Sequence, residues 1–293
     1  MHTNSKLEAE SAVEIRPLNQ ADLSAAILLS EQAHWNQTAS DWQRLLKLEP
    51  LGCFIAYTDR RAMGTITTAT YQTELAWIGM VLVHPDFRRR GIATRLMHVA
   101  LNHLQRVGVT TIKLDATPAG YKLYESLGFV TEAIIERWEG VARMSSSQDW
   151  AGIDEDTRRA MFALDRRAFG ADRTEVLESL LTASPVAPLV KMPPADGRSR
   201  GYVLARRGSR ASYVGPLVAT DERVALELLD GMLNQLAGEK VYLDFHTGFA
   251  LNSHALAERG FTKQRRLTRM SYGNESRAGT SSLIFAIAGP ELG

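Results

Sequence analysis

The stretch VLVHPDFRRRGIATRLMHVAL, residues 81–101, decides how this chain is read. An apolar run ends at Pro85, three arginines follow, and Gly91 opens a segment whose apolar spacing predicts a helix. Three readings are open: a basic patch for nucleic acid, a turn with solvated arginines, or a backbone cradle for a phosphate-bearing group. A strand that ends in a glycine-containing turn and feeds a helix aims several unbonded N–H groups at one point, where the helix dipole adds to the field. Gly91 lets a ligand approach the main chain, Ala93 keeps the helix entrance small, and Thr94 offers a hydroxyl. The Lys-Ser/Thr ending of a P-loop and the GxGxxG spacing of a dinucleotide fingerprint are both absent. Taken alone, the stretch describes the solvated turn as well as the cradle.

Composition narrows the choice. Lys+Arg number 34 against 33 Asp+Glu, a formal net charge of +1 over 293 residues. No general field draws a polyanion, so a nucleic-acid partner is not expected. The apolar share of 45% and charged share of 23% are those of a globular protein, and the length suits two domains. Cys53 is the only cysteine, which excludes an intrachain disulfide and a cysteine-based metal site and suits a reducing compartment; it is read as a core residue. His98 and His103 are about 140° apart round a helix and do not form a metal pair, so no metal is expected. The N-terminus MHTNSKLEAES lacks the apolar centre of a signal peptide, and no window of about 18 apolar residues exists. The expectation is a cytoplasmic protein with no membrane partner.

The chain reads as two halves that echo each other. The first gives the order βααβββαβαβ, from VEIRP through the helix HWNQTASDWQRLLKLEP, the hairpin CFIAYTDRRAMGTITTATY and the buried strands AWIGMVLV and TIKLDA, to AGYKLYESLGF and VTEAIIERW. A Ser-rich stretch, RMSSSQDWAGID, follows at the distance of a linker. The second half repeats the order, with LIFAIAG as a last strand free to join either sheet. Trp77-Ile78-Gly79 matches Tyr213-Val214-Gly215, Leu114-Asp115 matches Leu243-Asp244, and Gly128-Phe129 matches Gly260-Phe261. Between the glycine and the aspartate the second copy is seven residues shorter, and the shortfall falls where the first half holds HPDFRRRGIAT.

The ordered set VLVHPDFRRRGIATRLM, LDAT and LYESLGF resembles the GNAT superfamily of N-acetyltransferases over about residues 13 to 140. The family's (Arg/Gln)-x-x-Gly-x-(Gly/Ala) loop is here Arg88, Gly91 and Ala93. Its (Leu/Phe)-Tyr-Glu-x-x-Gly-Phe segment is here Leu123-Tyr124-Glu125 with Gly128-Phe129. The whole chain resembles tandem-GNAT proteins: an α/β fold of two GNAT-like domains, each a mixed, mostly antiparallel sheet flanked by helices. The expected division is residues 1–144, catalytic, and 145–293, a degenerate copy.

The resemblance implies an acetyl-CoA site. Backbone amides of Arg89, Arg90, Gly91, Ile92, Ala93 and Thr94 would hold the pyrophosphate, with the side chains of Arg88 and its neighbours secondary. The main chain of Val81, Leu82 and Val83 would pair with the pantetheine arm. Tyr124 stands where the family carries the acid that protonates the departing thiolate. Glu74, ahead of the central strand, is the candidate base; the alternative is a plain exposed loop carboxylate. Asp115, inside an apolar strand, is read as structural, and His34-Trp35 as either cleft-lining or boundary residues. Many members place an asparagine after the strand equivalent to TIKLDA; here Thr117 is nearest, and Pro118 implies a differently shaped loop. The expected reaction is direct acetyl transfer to a primary amine, that of a small molecule, with a protein N-terminus or a non-catalytic sensor of acyl-CoA or amines as alternatives. The second half has Ala255 to Ala257 where the first has Leu123-Tyr124, although Asn252 keeps the family's asparagine. One acetyl-CoA per chain is expected, and the oligomeric state is left open.

Overall fold

The computed structural model describes residues 13–58, 61–144, 150, 152–192, 198–247, 253–273 and 279–293. The first half runs β1 (Glu14–Pro17), α1 (Leu23–Gln32), α2 (Ala39–Leu48), β2 (Phe54–Thr58), β3 (Arg61–Tyr71), β4 (Leu75–Val83), α3 (Ile92–Val107), β5 (Thr111–Ala116), α4 (Pro118–Ser126) and β6 (Val130–Val141). The second runs α5 (Glu155–Phe169), α6 (Thr174–Ala183), β7 (Leu189–Lys191), β8 (Gly201–Arg206), β9 (Ser212–Ala219), α7 (Glu222–Gln235), β10 (Lys240–Thr247), α8 (Ser253–Glu258), β11 (Thr262–Gly273) and β12 (Ile284–Ala286). The first half has the order its sequence predicts. The second adds β7, a three-residue strand too short to carry an alternation. The Ser-rich linker and Asn252 fall mostly or wholly outside the described residues.

Local chemistry sets the boundaries. α2 begins at Ala39 rather than at His34, because Thr38 and Asp41 form a reciprocal capping box. α3 buries Ile92, Leu96, Met97, Ala100, Leu101 and Leu104, a helical stripe laid on β2, β3 and β4. It starts at Gly91 and stops at Gly108, both in the left-handed region.

The strands form one 12-stranded sheet in the order β1-β2-β3-β4-β5-β11-β6-β10-β12-β9-β8-β7. The centre of this order departs from two independent sheets. β5 takes β11, from the second half, as its antiparallel partner, and β10 takes β6, from the first. The two exchanged strands lie beside each other, antiparallel. Each carries core residues into the other half: Met270 of β11 packs with Ile112, Leu114 and Phe129, and Trp138 of β6 with Val241, Leu243 and Phe261. A third apolar cluster joins Trp42, Leu45 and Trp77 to Phe169, Leu177 and Tyr202 across the halves. Burying each such large apolar side chain contributes about 1.5–3 kcal/mol, so the halves are held by a common interior.

Two buried carboxylates fix the exchange. Asp115 on β5 accepts two hydrogen bonds from Arg269 on β11, both 2.9 Å. Its sequence counterpart Asp244 on β10 accepts two from Arg137 on β6, at 2.7 and 2.6 Å. Each half's aspartate is thus clamped by an arginine of the other half's strand. Asp115 has the structural role its apolar setting suggested.

Candidate active site

The loop after β4 is built from alternating backbone conformations. Arg88 is extended, Arg89 has φ 61°, and Gly91 has φ 74°. The N–H of Arg88 bonds to Pro85 and that of Arg95 to Gly91. Between them, the N–H groups of residues 89–94 have no acceptor among the described residues. Nothing lies within 4 Å of where a Cβ on Gly91 would project. A run of unbonded amides at a helix N-terminus, facing open space, is a binding surface for phosphate oxygens. The arginine side chains turn elsewhere: Arg88 Nε donates to the Val83 carbonyl at 3.2 Å, and Arg90 lies over the Phe87 ring at 5.5 Å.

β4 leads from this loop into a cleft. It pairs with β5 in parallel only from Leu75 to Trp77, opposite Thr111 to Lys113. From Ile78 onward the two strands part, leaving the β4 main chain, Val81, Leu82 and Val83 included, without a strand partner on that side. A bulge deepens the opening: two residues, Met80 and Val81, oppose Ile66 of β3, and Met80 adopts φ 50°. The first-half walls of this cleft include Trp35, Gln37, Gly79, Asp115, Thr117 and Tyr124.

Tyr124 is buried, and burial alone pushes its phenol above the usual range, so it stays protonated. No hydrogen-bond partner for its hydroxyl occurs among the described residues. Thr117 caps α4 by accepting from the Gly120 N–H at 3.3 Å, with Pro118 at the first helical position. Its hydroxyl proton remains available to the cleft. Glu74 lies elsewhere, exposed in the β3–β4 turn. It precedes Ile78 by four residues, about 13 Å back along the strand, and does not border the cleft. Trp35 lines the cleft, whereas His34 is exposed in the turn after α1. Cys53 is buried and its thiol is pushed up to about 12 by burial.

The second half closes both parts of the corresponding site. Asp221 caps α7, accepting from the Val224 N–H at 3.0 Å, so a carboxylate stands at this helix N-terminus. β9 and β10 also part after a short parallel pairing, but β12 fills the gap, paired to both. The strand that the sequence left free to join either sheet therefore seals the second half's own groove.

Beyond β12 the chain enters the first half's cleft. The carbonyls of Pro290, Leu292 and Gly293 accept hydrogen bonds from Trp77, Tyr71 and Arg173. Glu291 is buried, bonded by Gln37 Nε2 at 2.9 Å and Arg206 at 2.8 Å, and burial raises its pKa. Its main chain lies so near β4 that a Cβ on Gly79 would stand 2.8 Å from its Cα. Arg265 and Leu267 of β11 complete the wall. Sequence reasoning passed over these residues. The alternation Arg265-x-Leu267-x-Arg269 signals one charged, partly apolar face, but which cleft it faces depends on the strand exchange.

Comparisons with known proteins agree with this fold. The model of the Acetyltransferase (GNAT) family matches residues 16–129, and that of the Acetyltransferase (GNAT) domain matches residues 161–286. A holothin acyltransferase of Pseudoalteromonas sp. (strain SANK 73390) is 26% identical over 265 residues, covering 88% of this chain and 87% of that protein. The [ribosomal protein bS18]-alanine N-acetyltransferase of Salmonella typhimurium is 33% identical over 129 residues, 41% of this chain and 82% of that protein. Among solved structures, a Pyrococcus horikoshii protein superposes with a TM-score of 0.80 at 24% identity, covering 100% and 99% of the two chains. The family matches and named relatives define an acyltransferase. The chain belongs to the GNAT acetyltransferase family and carries two such domains in tandem. No helix among the described residues is long and apolar enough to cross a membrane.

Proposed function

We propose that the protein is an acetyl-CoA-dependent N-acetyltransferase, with its one active site in the first-half cleft and a primary amine of a small molecule as acceptor. The carrying observation is the run of unbonded amides at residues 89–94 leading directly to the open β4 edge. It fits a ligand with a pyrophosphate at one end and an extended amide-bearing arm. Acetyl-CoA supplies the activated acyl carbon. The amides of Arg89 to Thr94 hold its phosphates, Val81, Leu82 and Val83 pair with its arm, and Thr117 donates to that arm where relatives use an asparagine.

An acceptor amine has a pKa near ~10 and must shed a proton before it attacks. We assign that proton to Glu291, a cleft carboxylate whose pKa is raised by burial. This role replaces the expectation for Glu74. The amine nitrogen then bonds to the acyl carbon, the carbon–sulfur bond breaks as Tyr124 donates a proton to the departing thiolate, and the remaining excess proton on the nitrogen returns to the Tyr124 phenolate. A small acceptor is favoured because the exchanged strand and the 287–293 segment wall the cleft. The relative that spans both halves is, moreover, named for holothin, whereas the protein-modifying relative matches 41% of the chain. Acetyl-CoA consumption over an amine panel tests the reading. Turnover that collapses in Tyr124→Phe supports it; slow hydrolysis unchanged by the substitution supports a sensor instead.

A further inference from the structure

The cleft wall contributed by the second half contains a charged side chain, Arg265, that no carboxylate among the described residues pairs with. Arg265 lines this wall, and four other arginines connect to it: Arg269 through the lining Asp115, Arg206 through the lining Glu291, Arg137 opposite Arg265, and Arg44 through the Asp41 it shares with Arg206. Four are held by carboxylates, Arg44 and Arg206 by Asp41 and Glu291, Arg137 by Asp244, and Arg269 by Asp115. The Arg265 side chain has no ion pair or hydrogen bond among the described residues, and its Nε is buried without a partner. It stands directly across from Arg137 in the β11–β6 register. The neighbouring Asp244 has both oxygens engaged by Arg137 and accepts a further bond from the Tyr213 hydroxyl. Burial and the facing Arg137 push the Arg265 guanidinium down to about 10, so it keeps its charge at neutral pH. A partly desolvated cation facing a like charge is costly for the fold alone. It is offset if a ligand brings an anion.

We propose that Arg265 receives a carboxylate on the acceptor, so that the substrate is a small amine that also carries an acid group, an amino acid or a close derivative. This rests on reading the cleft as the acceptor site of an acetyltransferase. The planar guanidinium presents parallel donors that match a carboxylate. A carboxylate also balances the wall with a single negative charge. The phosphates of the acyl donor are served separately, by the amides at residues 89–94. Recognition of the acceptor thereby falls to a residue of the non-catalytic half, brought to the cleft by the exchange of β11 for β6.

The test compares a product mimic with its neutral twin. N-acetylglycine and N-acetylglycinamide are titrated calorimetrically into the full chain saturated with CoA, as wild type, Arg265→Gln and Arg265→Lys. The acid is expected to bind wild type at least about tenfold tighter than the amide, the worth of one charge-assisted bond. The contrast should vanish in Arg265→Gln and return in part in Arg265→Lys. The melting temperature of Arg265→Gln should hold or rise, because a like-charge contact is relieved; a structural role would lower it. Equal binding of the two probes, binding of neither, or a preference that survives Arg265→Gln overturns the proposal. Failure of every amine to release CoA counts against the acetyltransferase reading, and a retained acid–amide contrast would still locate the anion subsite.

Discussion

Gly91→Ala separates a phosphate cradle from an ordinary turn. The residue sits at φ 74°, where an L side chain costs about 1–2 kcal/mol. Beyond its chain neighbours, its new Cβ meets no atom of the described residues within 4 Å, so no packing penalty is added. For a domain of this size that strain lowers the melting temperature by about 2–4 °C per kcal/mol. Gly108, at the other end of α3, is a matched control: φ is 83° and again nothing lies within 4 Å. Both variants should lose similar stability. Only Gly91→Ala places a methyl group in the open space that the amides of residues 89–94 border. Loss of one charge-assisted N–H···O contact, about 1.5–3 kcal/mol, weakens CoA binding by about ten- to a hundredfold. Calorimetric Kd values for CoA, with melting curves on the same samples, provide the comparison. An unchanged Kd in Gly91→Ala, or an equal loss in Gly108→Ala, would refute the cradle.

Tyr124→Phe should lower kcat by about 10²–10⁴ while leaving the melting temperature near wild type, since no group among the described residues bonds to the hydroxyl; a matching loss of stability would point to packing instead. Titration with acetyl-CoA should reach saturation at one equivalent per chain, because Asp221 and β12 occupy the second half's counterpart site; two tight equivalents would contradict this. Arg269→Met leaves Asp115 buried and unpaired and should cost about 3–5 kcal/mol in urea unfolding, most of it recovered by adding Asp115→Asn. Failure of the second change to restore stability would argue against the clamp. Burial and the nearby Arg269 lower the His246 pKa from 6.5 to about 4. Between these values the unfolded chain binds more protons, so the contribution is complete above pH 6.5 and is lost as pH falls toward 4. His246→Gln should therefore flatten the fall in stability between pH 6.5 and 5, and an identical slope would be evidence against the assignment.

The elements of the site that are local in the chain were legible in the sequence. Tyr124, four residues before Gly128, was singled out through the resemblance to GNAT proteins, whereas Gly91, the helix after it and the apolar strand leading to them follow from turn chemistry and short-range periodicity. So did the loss of the loop in the second half, as a seven-residue shortfall. Asp115 could be recognised as a residue in need of a partner, because a carboxylate in an apolar strand must be satisfied, but the partner could not be named. β6 and β11 are matching strands of a duplicated pattern, each preceded by Gly-Phe, and alternation alone does not say which neighbour either one takes. Only the packed sheet decides that β11 lies beside β5, which delivers Arg265, Leu267 and Arg269 to the first-half cleft. The same holds for Glu291, 212 residues from Gly79 in the chain and in contact with it in space. Backbone cradles arise from adjacent residues and are written in sequence order. Acceptor walls arise from long-range pairing, and the free energy that selects one pairing over its near-equivalent is summed over a whole shared core.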